Sequence, residues 1–219
     1  MQKNTVIITI LSLVVIFGFL FAVYFFTNRP GTQSTIKYSE VNKIEKDDHV
    51  KWSPKKKSIL VEYGDLQCPA CKTFHNILHT FEIPSSPDIN ISKNITFVFR
   101  HFPLEVHKNA VPAARAAEAA GQQGKFFEFT DTLYNQQESW SDLNNPNDYF
   151  IKVAQSLKLN IDQFKKDESS LKAQTKIDQN QAQGNKVTVA STPTFFLNGV
   201  KLEVETLDEF KSLLTNAAK

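Results

Sequence analysis

The only two cysteines among the 219 residues, Cys68 and Cys71, stand as Cys-Pro-Ala-Cys at a junction. Before it runs an apolar stretch, Ser58 to Tyr63; after it comes a stretch that reads as a helix, Pro69 to Phe81. A strand must therefore lead straight into a helix whose first turn carries both thiols, which constrains the fold more than any other feature. If Cys68 is the N-cap, Pro69 takes the first helical position, where its missing N–H had no partner. The Cys71 N–H then points back at the Cys68 sulfur, as towards a capping side chain. The helix N-terminus carries roughly half a positive charge. A thiolate there is stabilised, and its pKa falls from about 8.5 towards the reactive range. Cys71, one turn on, is expected to be more buried and to act as the resolving thiol.

Two blander readings compete: inert buried thiols, or part of a zinc site. Cys68, Cys71, His75 and His79 share one helical stripe. At about 1.5 Å rise per residue, Cys68 and His79 are roughly 16 Å apart along the axis. Zinc bonds of about 2.0–2.3 Å cannot collect all four, and the chain holds no second Cys-x-x-Cys. The spacing favours redox chemistry. His75 and His79 are expected at the surface.

The run from Val6 to Phe26 carries no charged residue. As a helix its roughly 21 residues would span about 31 Å, a bilayer core. A cleavable signal peptide usually has an apolar core of about 7–15 residues and a small-x-small cleavage site. Here the run ends in Tyr24-Phe25-Phe26, which favours an uncleaved single-pass anchor over residues 1–27. No cysteine lies near its end, so a lipid anchor is not expected. A disulfide catalyst belongs in an oxidising compartment. This places the N-terminus in the cytoplasm and the rest of the chain outside, at the cell membrane. Residues 28–47 read as a polar tether.

Residues 48–219 are enough for one domain with an insertion. Lys and Arg number 25 against 23 acids, so no electrostatic case for nucleic acid exists. Lys51, Lys55, Lys56 and Lys57 read as a solvated edge. Ile95 to Arg100 is a second buried strand. A helical block follows: Ala110 to Ala120 (with Arg115 and Glu118 exposed, and Gly121 and Gly124 as breaks), Phe126 to Gln137, Asp148 to Leu157, and Ile161 to about Gln183. Thr194 to Leu197, Asn198-Gly199 and Val200 to Val204 read as a hairpin. A last helix runs from about Leu207 to Ala217. The expected class is α/β, with a helical insertion at about 105–186, because a structureless connection that long is improbable.

Three blocks carry a specific resemblance. They are Val61 to Cys71; Phe99-Arg-His-Phe-Pro-Leu104 with His107 and the Ala-rich helix; and Ser191-Thr-Pro-Thr-Phe-Phe-Leu-Asn-Gly199. With Asp48 to Lys51 as a lead-in, the chain from residue 48 onward resembles the DsbA-like thiol–disulfide oxidoreductases, in their membrane-anchored or secreted bacterial branch. The resemblance implies a thioredoxin-like fold and gives roles to residues. Pro193, after Thr192, matches the cis-proline beside the active-site cysteines. Thr192, Pro69 and Ala70 are expected to face the substrate. Glu62, in an apolar strand six residues before Cys68, matches a buried acid that handles the proton of Cys71; burial would raise its pKa.

The implied activity is disulfide donation from Cys68–Cys71 to exported proteins with free thiols. A membrane partner with its own cysteines would reoxidise the pair. No cofactor or metal is expected beyond the cysteines themselves. In one respect the chain departs from the best-known oxidants of this kind, which have Pro-His between the cysteines. Ala70 supplies no imidazolium, so a less oxidising disulfide is expected. A reductase or isomerase on the same fold, and a non-catalytic binding module, stay open as alternatives.

Overall fold

The computed structural model describes residues 13–24, 36–55 and 57–219. The chain divides into two units, residues 1–33 and 34–219. In the first, residues 13–24 are helical with exposed side chains. They lie inside the expected 6–26 span, whose remaining residues are outside the described ones, as are Lys3, Arg29 and tether residues 28–35. Among the described residues no helix is long and apolar enough to cross a membrane.

The second unit is built on a five-stranded sheet in the order β1-β3-β2-β4-β5. β2 (Ser58–Gly64) and β3 (Ile95–His101) are parallel and buried along their whole length. That is what continuous apolar runs dictate for strands covered on both faces. Parallel neighbours need a crossover, which α1 (Pro69–Thr80) and a short α2 (Ile89–Asn94) supply. β1 (His49–Trp52) pairs antiparallel with β3, and β4 (Thr194–Leu197) antiparallel with β2. β5 is only Val200–Lys201, shorter than the expected return strand. The turn into it is the one its sequence requires: Asn198 and Gly199 have φ of 53° and 82°, both left-handed.

Alternation along the strands sorts the core into two clusters. Leu60, Phe97, Phe99 and Phe195 pack with Cys71, Leu78 and the helical insertion. Ile59, Val61, Tyr63, Val98 and Phe196 pack on the opposite face with Val187 and Val189. Even-numbered positions of β2 thus face α1, and Glu62 is one of them.

Between β3 and β4 lie α3 (Ala110–Gln122), α4 (Phe126–Asn135), a 3₁₀ turn (Gln137–Ser139), α5 (Asn147–Ser156), α6 (Ile161–Glu168) and α7 (Leu171–Lys186); α8 (Leu207–Ala217) closes the fold. The expected helical insertion is therefore present, with several corrections. The single helix expected over 161–183 is two, because the Ser170 side chain caps a new start by accepting from the Ala173 N–H at 3.2 Å. Gly121 lies inside α3. Glu118 is buried rather than exposed, because alanines bury most of that helix's circumference.

The tether reading also fails over residues 36–47. Tyr38 N–H bonds the Gly199 carbonyl, and Val41 is fully buried against the second cluster. Lys51 is no solvated edge. Its ammonium pairs with Glu82 at 2.5 Å and sits over the rings of Phe127, Phe97 and Trp52 at 4.9, 5.5 and 5.9 Å.

Candidate active site

Cys68 is the N-cap of α1 and Pro69 its first residue, as the motif dictates. The expected capping bond is not made. The Cys68 thiol instead donates to the Thr192 carbonyl at 3.2 Å. Thr192 precedes Pro193 across a cis peptide bond, and its carbonyl lies against Cys68. Both cysteines are buried free thiols, while Pro69 and Ala70 between them are exposed.

The two sulfurs differ sharply. A hydrogen bond from the Cys71 thiol is the main cause that lowers the Cys68 pKa to about 5, with the Cys71 and Ala70 amides adding to it against the effect of burial. Cys71 is driven the other way, well above the usual thiol range, by burial, by the Cys68 sulfur and by Glu62. Near neutral pH the pair is one thiolate beside one thiol.

Glu62 is buried beneath them, and its Oε1 has no hydrogen-bond partner. Burial raises its pKa to about 8, with Lys51 lowering it and Cys68 raising it. It is an acid that changes protonation near neutral pH, electrostatically coupled to Cys71.

Sequence reasoning missed what holds the cysteine loop. Asp65 accepts from the Gln67 N–H (2.8 Å), the Leu104 N–H (2.9 Å) and His107 Nδ1 (2.7 Å). Gln67 accepts from the Asn109 N–H at 2.7 Å and donates to the Ser141 carbonyl at 2.8 Å. Gln137 donates to the Leu66 and Cys68 carbonyls at 2.9 and 3.1 Å. These contacts, most of them from the insertion, hold the chain from Asp65 to Cys68. Asp65 and Gln67 lie in the motif block, where they could have been suspected; Gln137 carries no local signal.

His75 is buried, not at the surface. Burial, then the charges of Lys51 and His79, lower its pKa to about 4, and it stacks on Tyr134 at 4.8 Å. His79 is exposed as expected. Among the described residues the three-donor grouping is His49, His101 and Glu118, which includes neither cysteine.

A thioredoxin family model matches residues 45–216. The Na(+)/H(+) antiporter NhaA 1 of Mycobacterium sp. strain KMS is 34% identical over 157 residues, covering 69% of this chain and 24% of that protein. The chain thus spans about a quarter of the length of such relatives. The probable disulfide bond formation protein D of Bacillus cereus is 29% identical over 167 residues, 74% of this chain and 72% of that one. Wolbachia pipientis α-DsbA1 superposes with a TM-score of 0.69 at 23% identity, over 82% of this chain and 95% of the other. Oxidised BdbD of Bacillus subtilis gives 0.62 at 20% identity, over 86% and 97%. At these identities the structural likeness is one of fold. The matched stretch takes in the strand, both cysteines and the cis-proline, and the chain belongs to the thioredoxin family, with the DsbA-type proteins as its structural kin.

Proposed function

We propose that the protein is a thiol–disulfide oxidoreductase that introduces disulfides into exported proteins, using Cys68–Cys71 as its redox couple. The observation that carries the direction is the split between the two sulfurs, about 5 for Cys68 and far higher for Cys71. A stabilised thiolate favours the reduced enzyme, and a disulfide whose reduced form is stabilised is a strong oxidant. Ala70 costs the site an imidazolium, and the Cys71 thiol and the first-turn amides remain to stabilise the thiolate.

A substrate thiolate attacks Cys68 Sγ and forms the mixed disulfide. The Cys68–Cys71 bond breaks and its electron pair leaves on Cys71. Cys71 needs a proton, which the neutral Glu62 carboxyl supplies. A second substrate thiolate then attacks the substrate sulfur and expels Cys68 as its thiolate, a good leaving group because its pKa is low. The substrate gains a disulfide, and the enzyme keeps the two electrons as a dithiol. A membrane protein with its own cysteines removes them. The apolar run at 6–26 is assigned as a single-pass anchor, with the catalytic unit outside the cytoplasm. Thr192 and Pro193 present a backbone edge to an extended substrate segment.

The deciding measurement is the reduction potential, set against glutathione. A value well above the about −270 mV of thioredoxin, towards the about −120 mV of a strong oxidant, is expected. A value at or below that of thioredoxin would overturn the direction in favour of a reductase.

Glu62→Gln tests the proton step. General acid catalysis contributes about 10²–10⁴-fold, so mixed-disulfide formation by the oxidised variant should slow by roughly the lower figure. The gap should be largest below pH 8, where the wild-type carboxyl is protonated, and should close above it. Because the folded pKa is raised, the stability that neutral Glu62 allows is lost as pH rises through about 8. The Gln variant should therefore be the more resistant to urea in alkali. An equal slowing at every pH would remove Glu62 from the reaction.

A further inference from the structure

His49, His101 and Glu118 meet on the side of β3 that faces the helical insertion, and the thiol chemistry uses none of them. His49 comes from β1, His101 from the end of β3 and Glu118 from α3. Both imidazoles direct Nε2 at one oxygen, Glu118 Oε1, at 2.7 Å from His49 and 3.0 Å from His101. All three donor atoms lie within 4.8 Å of one another.

The surroundings fix both rings. Phe126 stacks on His49 at 3.4 Å with a 5° interplanar angle, and meets His101 edge-on at 5.6 Å. Gly121, one turn beyond Glu118, makes room for His49: a Cβ there would come within 2.9 Å of His49 Cε1. A cavity of about 370 Å³ opens onto Glu118 and is also lined by Asp47, Gln122, Thr175 and Lys176. Two lysines line the same cavity: Lys176 is engaged by Asp47 at 3.2 Å and Asp48 at 3.4 Å, and Lys172 donates to Gln122 at 3.3 Å.

We propose that His49, His101 and Glu118 bind one divalent cation of the zinc class. Two imidazoles and one carboxylate are the ligands such borderline ions take, at about 2.0–2.2 Å. Tetrahedral donors at that radius stand about 3.4 Å apart. The two imidazole nitrogens stand 2.7 and 3.0 Å from Glu118 Oε1, so the carboxylate needs to draw back from each by less than about 1 Å, a shift of the Glu118 side chain that leaves both rings in place. The cavity gives the ion a solvent route and water as a fourth ligand. Bound there, the ion joins the edge strand, the central sheet and the insertion, and so clips the insertion onto the core. This role is independent of the thiol reaction.

The experiment uses the full-length protein, stripped with chelator and held as the Cys68–Cys71 disulfide so that no thiol competes for metal. Calorimetric titration with Zn²⁺ should show one equivalent bound, and Zn²⁺ should raise the thermal midpoint. Co²⁺ should give the visible bands of a four-coordinate nitrogen–oxygen site. His49→Gln, at the rim of the cluster, should weaken Zn²⁺ binding by at least about tenfold, since even outer-shell losses cost that much. It should also abolish the thermal shift. Circular dichroism checks that the variant is folded, and Glu118→Gln serves if it is not. Oxidised wild-type protein that binds neither ion overturns the site, as does a folded variant that binds Zn²⁺ as tightly as wild type.

Discussion

Cys68→Ser is expected to lower catalysed oxidative refolding of a reduced test protein by at least about three orders of magnitude, the scale on which losing a nucleophile acts. The thiolate absorbance that titrates near pH 5 in the reduced wild type should vanish with it. Cys71→Ser should behave differently. It keeps the nucleophilic sulfur and a hydroxyl able to donate to it, so a low-pH thiolate persists. When its Cys68 thiolate attacks a disulfide of an oxidised test protein and expels one of that protein's thiolates, no resolving thiol can release it, so the mixed disulfide should accumulate and be visible on a non-reducing gel. Cys71→Ala removes that donor as well, and the Cys68 midpoint should rise, since the Cys71 hydrogen bond is the largest cause of the depression. Unchanged refolding by Cys68→Ser would replace an enzyme with a binding module in which the cysteines are a staple.

The parts of this site that could be read in the chain are those whose chemistry is local. A strand, a proline at the first helical position and two thiols in one turn are set within fourteen residues, Ser58 to Cys71. The Asn198-Gly199 turn is local as well. What stayed hidden is set by contacts far apart in sequence. Gln137 grips the Leu66 and Cys68 carbonyls across 71 and 69 positions, yet in the chain it is one glutamine in a polar stretch. Asp65 is satisfied by partners 39 and 42 residues on.

Other misreadings came from applying surface rules to a crowded interior. Glu118 sits on a helix that other elements surround, so no solvent face was left for it. Lys51 has a long aliphatic stem that reaches Glu82 and three aromatic rings, and a local count of lysines cannot show that. His75 was legible in principle: Cys71, His75 and Leu78 follow the helical spacing of one buried stripe.

Replacing Arg100 should destabilise the fold strongly. The side chain is buried on β3. It donates to Asp48 at 3.2 and 2.7 Å and to the carbonyls of Val41 and Lys43 at 3.0 and 2.8 Å. It thereby fastens residues 41–48 to the sheet. Arg100→Met preserves much of the volume but leaves two carbonyls without their donor and the Asp48 carboxyl with only the Glu45 N–H at 2.8 Å and Lys176 at 3.4 Å. Removing one partner of a buried pair costs about 3–5 kcal/mol, which should appear as a lower urea midpoint at an unchanged slope.

The loss should depend on pH. Burial pushes the Asp48 carboxyl up, but the hydrogen bonds and charge of Arg100 outweigh it and hold the pKa below the usual value. The pair's contribution is therefore present above the unfolded pKa of about 3.9 and is lost as pH falls through the folded value. In the variant burial is opposed only by the Glu45 N–H and by Lys176, the Asp48 pKa rises, and its penalty is relieved by acid. The gap between wild type and variant should thus be widest at neutral pH and shrink below about pH 4. A gap that stays constant across that range would mean that the guanidinium acts through packing and its two carbonyl bonds, with the carboxylate a bystander.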